Sequence, residues 1–201
     1  MEKIIQNNHN SERCVETPFI VEKIKQYCKN KTVLDVGGVP TAKVHYVPIM
    51  NAIAENNVNY KVCDFRGGDF RGDFVTYNFA DNKFDVIIFL SSLEHFPQCT
   101  EGDLKFREDE DLKGFQKALS LLNSGGTILM TVPFGKCYWQ EYHQNYNMDR
   151  INYISKNSSL NEFFVYKLVD NMWEQSEPDL MADVIYTDVA HGVGCFVFEK
   201  D

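Results

Sequence analysis

Apolar and polar positions along the chain follow two alternating rhythms. From Pro18 to Cys28, apolar residues at Phe19, Ile20, Ile24 and Tyr27 share one face at helical spacing. Lys31–Val36 is short, apolar and β-branched and runs into Gly37-Gly38, which predicts a buried strand ended by a glycine turn. Helical spacing returns over Thr41–Glu55, where Pro48 is expected to bend or delay the helix. Further strands are predicted at Val58–Phe65, Asp73–Phe79, Lys83–Leu90 and Gly126–Val132, with a charged, Gly-rich loop over Arg66–Asp73 and a helix over Asp111–Leu122. Phe163–Asp170 and Gly194–Glu199 read as two closing strands. This alternation predicts an α/β fold, a parallel sheet with helices on both faces. Ligands of such sheets sit beyond the carboxyl ends of the strands. That rule selects Asp35–Pro40, Asp64–Arg66, Asn78–Phe79, Leu90–Phe96 and Pro133–Gly135.

Composition narrows the partners. The 201 residues suit one domain, with 1–30 as an N-terminal helical segment and 31–201 as the main body. With 44% apolar and 24% charged residues, disorder is excluded. A net charge of −9 argues against gripping nucleic-acid phosphates or an anionic membrane surface, both of which need clustered Lys and Arg. No apolar run is long enough for a membrane span, and Met1–Asn10 lacks the apolar core of a signal peptide. None of the six cysteines forms a CxxC pair and several sit in apolar runs, so they are expected to be free buried thiols. The expectation is a cytoplasmic protein with a small-molecule partner. A homodimer is compatible with it, two-fold dimers being the commonest soluble oligomers.

Four segments carry candidate chemistry. In Val33-Leu34-Asp35-Val36-Gly37-Gly38 a strand delivers an acid and then two glycines, which let the backbone turn sharply and approach a ligand; a plain strand-to-helix turn has the same look. Asp64 lies 27 residues after Gly37, and an acid at a second strand tip can take both hydroxyls of a ribose or simply head a turn. Phe84–Phe96 is a buried strand ending in Ser91-Ser92-Leu93-Glu94-His95, where His95 can act as a base or stay solvated. The fourth segment is Leu122-Asn123-Ser124-Gly125-Gly126 with the following strand and Val132-Pro133-Phe134-Gly135.

In this order the segments resemble the class I S-adenosylmethionine (SAM)-dependent methyltransferases, over roughly residues 30 to 150. Asp35–Gly38 is similar to the family's first motif, Phe84–Phe96 to its "FDVI…LEH" segment and Leu122–Gly135 to its "LxxGGxLxxTVPFG" segment. Arg13–Phe19 is similar to an "RxVExPW" stretch associated with small bacterial-style methyltransferases, some of them linked to surface glycans. The resemblance implies a Rossmann-like, doubly wound, mixed seven-stranded sheet with an antiparallel last strand. It implies SAM as cofactor, with Asp35, Gly37 and Gly38 at its methionine end, Asp64 on the ribose, Phe65, Asn78 and Phe79 about the adenine, and Leu90 and Ser91 near the sulfonium. There are two departures. Val39-Pro40-Thr41 stands where the family usually has a third glycine, and Asn78 replaces an acid beside the adenine.

For catalysis the candidates are His95, with Glu94 as orienter, and His143 in reserve. Glu16, Trp139, Tyr142 and Tyr146 are the candidate acceptor contacts. Aromatic and amide groups over 139–146 suit a hydroxyl-rich ligand such as a sugar or nucleotide-sugar, though a surface loop with aromatic anchors shows the same residues. Asp64, Asp69, Asp73 and Asp81 lack the spacing of a calcium loop, so no metal is expected. The leading reading is O-methylation of a sugar, nucleotide-sugar or glycan intermediate. The alternatives are a nucleic-acid methyltransferase, disfavoured by Ser91–Glu94 in place of an Asn/Asp-Pro-Pro-aromatic segment; a nicotinamide-dependent dehydrogenase, disfavoured by the missing Gly-x-Gly-x-x-Gly; and a non-catalytic protein of the same fold.

Overall fold

A computed structural model describes residues 3–4, 11–38, 46–98, 107–140, 143–186 and 190–201. In chain order the elements are β1 (Lys3–Ile4), α1 (Arg13–Tyr27), β2 (Thr32–Val36), α2 (Tyr46–Glu55), β3 (Asn59–Asp64), β4 (Phe70–Arg71), β5 (Phe84–Leu90), α3 (Glu110–Leu121) and β6 (Leu122–Pro133). Then follow β7 (Tyr138–Gln140), β8 (His143–Asn145), α4 (Met148–Ile154), β9 (Ser158–Val169), β10 (Met172–Ser176) and β11 (Gly192–Lys200). Among the described residues, two 3₁₀ turns, Leu93–Gln98 and Pro178–Met181, complete the list.

One sheet of nine strands runs β4-β3-β2-β5-β6-β11-β9-β10-β1, and β7-β8 form a separate hairpin. The pairs from β4 to β6 are parallel, and every pair from β6 outward through β11 is antiparallel. The expected doubly wound mixed sheet with an antiparallel last strand is therefore present. It carries nine strands where seven were expected, because β10 folds back on β9 and Lys3–Ile4 pairs with β10. The chain moves outward from β2 to β4 and then returns to place β5 on the other side of β2. That reversal is the topological switch point, where the carboxyl ends of β2 and β5 part to leave a crevice.

Helices cover both faces. Ile20 and Ile24 of α1 and Ile49 and Ile53 of α2 pack with Val33, Val86, Ile88 and Leu129 on one side. Phe115 and Ala118 of α3 and Ile151 and Ile154 of α4 pack with Leu34, Ile87, Phe89, Ile128 and Met130 on the other. Successive strand residues face opposite sides, so continuous apolar runs such as Val86–Leu90 are what a sheet covered twice requires.

Several boundaries differ from expectation. α1 begins at Arg13, and Pro18 lies inside it with its ring exposed. Pro48 sits in the first turn of the described part of α2, where a missing N–H is tolerated. The strand expected at Asp73–Phe79 is not one; Phe74 and Phe79 are buried anchors of a loop whose turns are capped by Asp73 and Asn78. None of the five described cysteines is in a disulfide; Cys28, Cys63 and Cys195 are buried, Cys14 is half-buried and Cys137 is exposed, unlike the buried thiol expected there. Among the described residues, no helix is long and apolar enough to cross a membrane.

Candidate active site at the carboxyl edge of the sheet

The parallel register brings four loops to one edge. Val36 pairs with Cys63, Asp35 with Ile88, and Leu90 with Thr131, so Gly37, Asp64, Ser91 and Val132 stand at similar height along the sheet.

The turn after β2 is built on two glycines with local reasons for being so. Gly37 adopts φ +81, and its N–H donates to the Cys63 carbonyl at 2.8 Å. A Cβ there would lie 2.7 Å from Ser92 Cβ. A Cβ on Gly38 would run into the Asp35 carboxylate. Asp35 is 2% exposed, and its Oδ2 accepts hydrogen bonds from the Tyr60 hydroxyl and, at 3.3 Å, from the Tyr46 hydroxyl. Its Oδ1 has no hydrogen-bond partner among the described residues. Burial pushes the Asp35 carboxyl up to about 6, against the opposing pull of the two tyrosine hydroxyls.

At the neighbouring strand tip Asp64 is half-buried and uses Oδ1 to accept from the Arg66 N–H at 2.7 Å. The adjacent Phe65 ring is 43% exposed, unusual for a phenylalanine unless something covers it. Asn78 is exposed, with Oδ1 on the Ala80 N–H at 2.9 Å. Phe79, in contrast, is 3% exposed and packed on Phe70, Phe74 and Phe84, so almost none of its ring is open to a ligand. Asp69 and Asp73 accept from local backbone N–H groups, and Asp69 also binds Lys61 at 2.9 Å, so both are structural.

Beyond β5, Leu90 is buried and Ser91 takes a left-handed φ of +47, its N–H shared at 3.1 Å between the Thr131 carbonyl and hydroxyl. Such a conformation in a non-glycine residue is uncommon and frequent at functional turns. His95 follows with its side chain 54% exposed, Nε2 at 3.9 Å from the buried Glu94 carboxylate. The His143 ring stands 6.5 Å from His95 and 3.9 Å from Tyr186, centroid to centroid. His143 is buried, and burial, aided by His95, lowers it to about 4, which leaves it neutral and a weak base. The two predicted histidines are thus brought together from 48 residues apart.

The predicted acceptor residues divide. Glu16, in the first turns of α1, is fully buried with Oε2 2.6 Å from Arg13 Nη1 and Oε1 without a partner among the described residues. Burial raises it to about 7, only partly offset by Arg13, and the charges of Glu12 and Glu94 add to the rise. Trp139 is half-buried on β7. Tyr146 is fully buried in the core, its hydroxyl towards Asp111, so its part is to hold the loop rather than to meet a ligand. Tyr142 and the Val39-Pro40-Thr41 segment lie outside the described residues.

Thr131, Tyr46, Tyr60 and Tyr186, with Arg13 from the Arg13–Phe19 stretch, complete the edge, and none of the five was a candidate site residue in the sequence. They come from elements that only the tertiary fold unites. The buried partners of Asp35, two tyrosines 14 residues apart, carry no local pattern.

No family model and no curated protein sequence matches the chain. Solved structures do. The CcbJ methyltransferase from Streptomyces caelestis matches with a TM-score of 0.58 at 9% identity, over 97% of this chain and 93% of that one. The N-methyltransferase NodS from Bradyrhizobium japonicum, solved with S-adenosylhomocysteine (SAH), matches at 0.54 and 12%, over 96% and 93%. The chain has the class I methyltransferase fold. The same fold serves the [4+2]-cyclase SpnF, which matches at 0.59 and 11% over 98% of this chain and 85% of that one. The fold thus constrains the site's position more than its reaction.

Proposed function

We propose that the protein is a SAM-dependent methyltransferase of a small polar acceptor, with O-methylation of a sugar, nucleotide-sugar or glycan intermediate as its reaction. The observation that carries this reading is the edge formed by the Asp35–Gly38 turn beside Asp64 and Phe65. A buried acid with one orphaned oxygen, a Cβ-free turn, a strand-tip carboxylate and an exposed aromatic ring stand at neighbouring strand ends. These residues fit the cofactor. Asp64 would hold the ribose hydroxyls, Phe65 and Asn78 would flank the adenine, Asp35, Gly37 and Gly38 would face the methionine end, and Leu90 and Ser91 would lie by the sulfonium.

When bound, SAM supplies a methyl group already activated by its positive sulfur. The chain's task is then to align the acceptor and to take a proton from its hydroxyl. His95 is the base in this reading, because it is accessible and its Nε2 lies 3.9 Å from the buried Glu94 carboxylate, which can orient the ring. His143, held neutral, borders the acceptor space and orients rather than abstracts. Trp139 and Tyr142 would stack on the acceptor from the β7 loop. The excess of acid in the chain makes nucleic acid the weaker substrate class.

Thermal denaturation with SAM, SAH and NADH tests the reading. A ligand at about 100 times its Kd adds about 2.7 kcal/mol, or about 5–10 °C for a chain of this size. Stabilisation by both sulfur nucleotides and not by NADH is expected. Stabilisation by NADH alone, or by none, would contradict it. Transfer of labelled methyl to sugars then separates this reading from other chemistry on the same fold.

A further inference from the structure

The acceptor side of the edge holds buried polar atoms without hydrogen-bond partners, two of them carboxylate oxygens. Glu16 is fully buried and Glu94 is 2% exposed. The Arg13 guanidinium binds only one Glu16 oxygen, at 2.6 Å. Glu16 Oε1, Glu94 Oε2, Thr17 Oγ1 and His143 Nε2 are all buried and without a hydrogen-bond partner among the described residues. They come from α1, from the turn after β5 and from β8. Glu94 lies 3.9 Å from His95, whose ring is 6.5 Å from that of His143, and the tilted Tyr186 ring is 3.9 Å from His143. Glu94 also acts electrostatically on Glu16 and on Arg13. Glu16, Glu94 and His143 therefore share one neighbourhood. A buried carboxylate oxygen without a donor is costly, and two in one buried neighbourhood with a single cation beside them are more so. What would complete this neighbourhood is a donor-rich group carrying positive charge.

We propose that Glu16 and Glu94 anchor an ammonium group of the acceptor, so that the substrate is an amine-bearing polar molecule such as an amino sugar. This deepens the methyltransferase reading and rests on it for the word acceptor; the anchoring site itself does not. The same acids would repel a phosphate placed here, which sets the amino sugar ahead of the nucleotide-sugar.

A linked proton provides a second signature. Glu16 is faced by Arg13 and Glu12 along α1, by Glu94 from the turn after β5, by the Thr131 hydroxyl on β6, by Cys195 on β11 and by Tyr186. Burial holds it partly protonated near neutral pH. A cation seated against it favours the carboxylate, so binding releases a proton.

The test is calorimetric titration of the SAH-saturated protein with glucosamine, galactosamine and mannosamine, each against its N-acetyl counterpart. The experiment is run near pH 6.5 in buffers of different ionisation enthalpy. At least one amine is expected to bind about tenfold or more tighter than its N-acetyl form, the scale of a hydrogen bond to a charged group, with proton release. Glu94→Gln is expected to remove that preference, and Glu16→Gln to remove the proton release as well. If one variant does not fold, the other carries the same test. No amine preferred over its N-acetyl form, or a preference that survives both substitutions, overturns the proposal. A protein that fails to bind SAH overturns the methyltransferase reading instead, and the amine titrations on the free protein still decide the anchoring site.

Discussion

Arg13 and Glu16 stand one turn apart on α1, joined at 2.6 Å, and their pairing satisfies one carboxylate oxygen while leaving the other bare in a buried setting. Burial outweighs the arginine, and the Glu16 carboxyl rises to about 7. A carboxyl whose folded pKa lies above its unfolded value stabilises the fold fully below the unfolded value and loses that contribution as pH rises through the folded one. Stability is therefore expected to fall between about pH 4.5 and pH 7 on Glu16's account, by roughly 2–4 kcal/mol. Melting temperatures of the wild type and Glu16→Gln across that range check this. The variant should show a flatter dependence, and parallel curves would assign the proton elsewhere.

The turn after β2 depends on two absent side chains. Gly37→Ala imposes a left-handed backbone on a residue with a Cβ and sets that carbon against Ser92, at a cost of about 1–3 kcal/mol. Gly38→Ala displaces the Asp35 carboxylate from its tyrosine hydroxyls. Both variants should melt several degrees lower, and Gly38→Ala should also lose most of its affinity for SAH, read by calorimetry.

Asp64 is assigned to the ribose. Asp64→Ala should weaken SAH binding by about 10–100-fold, the scale of hydrogen bonds to a charged group. Its effect on stability should be small, because Asp64 is half-buried and its one described side-chain bond caps its own turn. A variant that binds SAH like the wild type would remove Asp64 from the site.

His143 is predicted to titrate low. It should stay neutral down to about pH 4, for burial and the neighbouring His95 both disfavour its charge. The imidazole NMR shifts of His143 followed with pH check this, and a midpoint in the ordinary histidine range would contradict it. Once an acceptor is found, His95→Ala should lower kcat by about 10²–10⁴-fold with SAH affinity retained.

The sequence reading was accurate where burial on both faces forced continuous apolar runs, as at 32–36, 84–90 and 126–132. It failed where loops borrow a strand's pattern. Val75, Tyr77 and Phe79 alternate like strand residues, yet the rings of Phe74, Tyr77 and Phe79 plug the core from a loop. β10 was missed because Glu174 and Gln175 break its apolar character, although Asp170 and Asn171 turn the chain with positive φ (48 and 64), as a tight hairpin demands. α4 was missed too, though Asn147 caps it by accepting from the Arg150 N–H at 2.9 Å. The acidic run 107–111 reads as a solvated helix start, yet Asp111 is fully buried against Arg150. The candidate residues at strand ends were legible because the sheet's topology places them. The partners of Asp35 and His143 were not, since burial and pairing between distant segments leave no local spacing to read.

The claim that most of this account depends on is where the cofactor sits. A crystal structure of the protein with SAH tests it most directly. The account predicts the ribose hydroxyls on the Asp64 carboxylate, the adenine against Phe65 and the amino-acid end over Gly37-Gly38. Density for SAH at any other edge of the sheet, or a carboxyl edge left empty under saturating SAH, would contradict it.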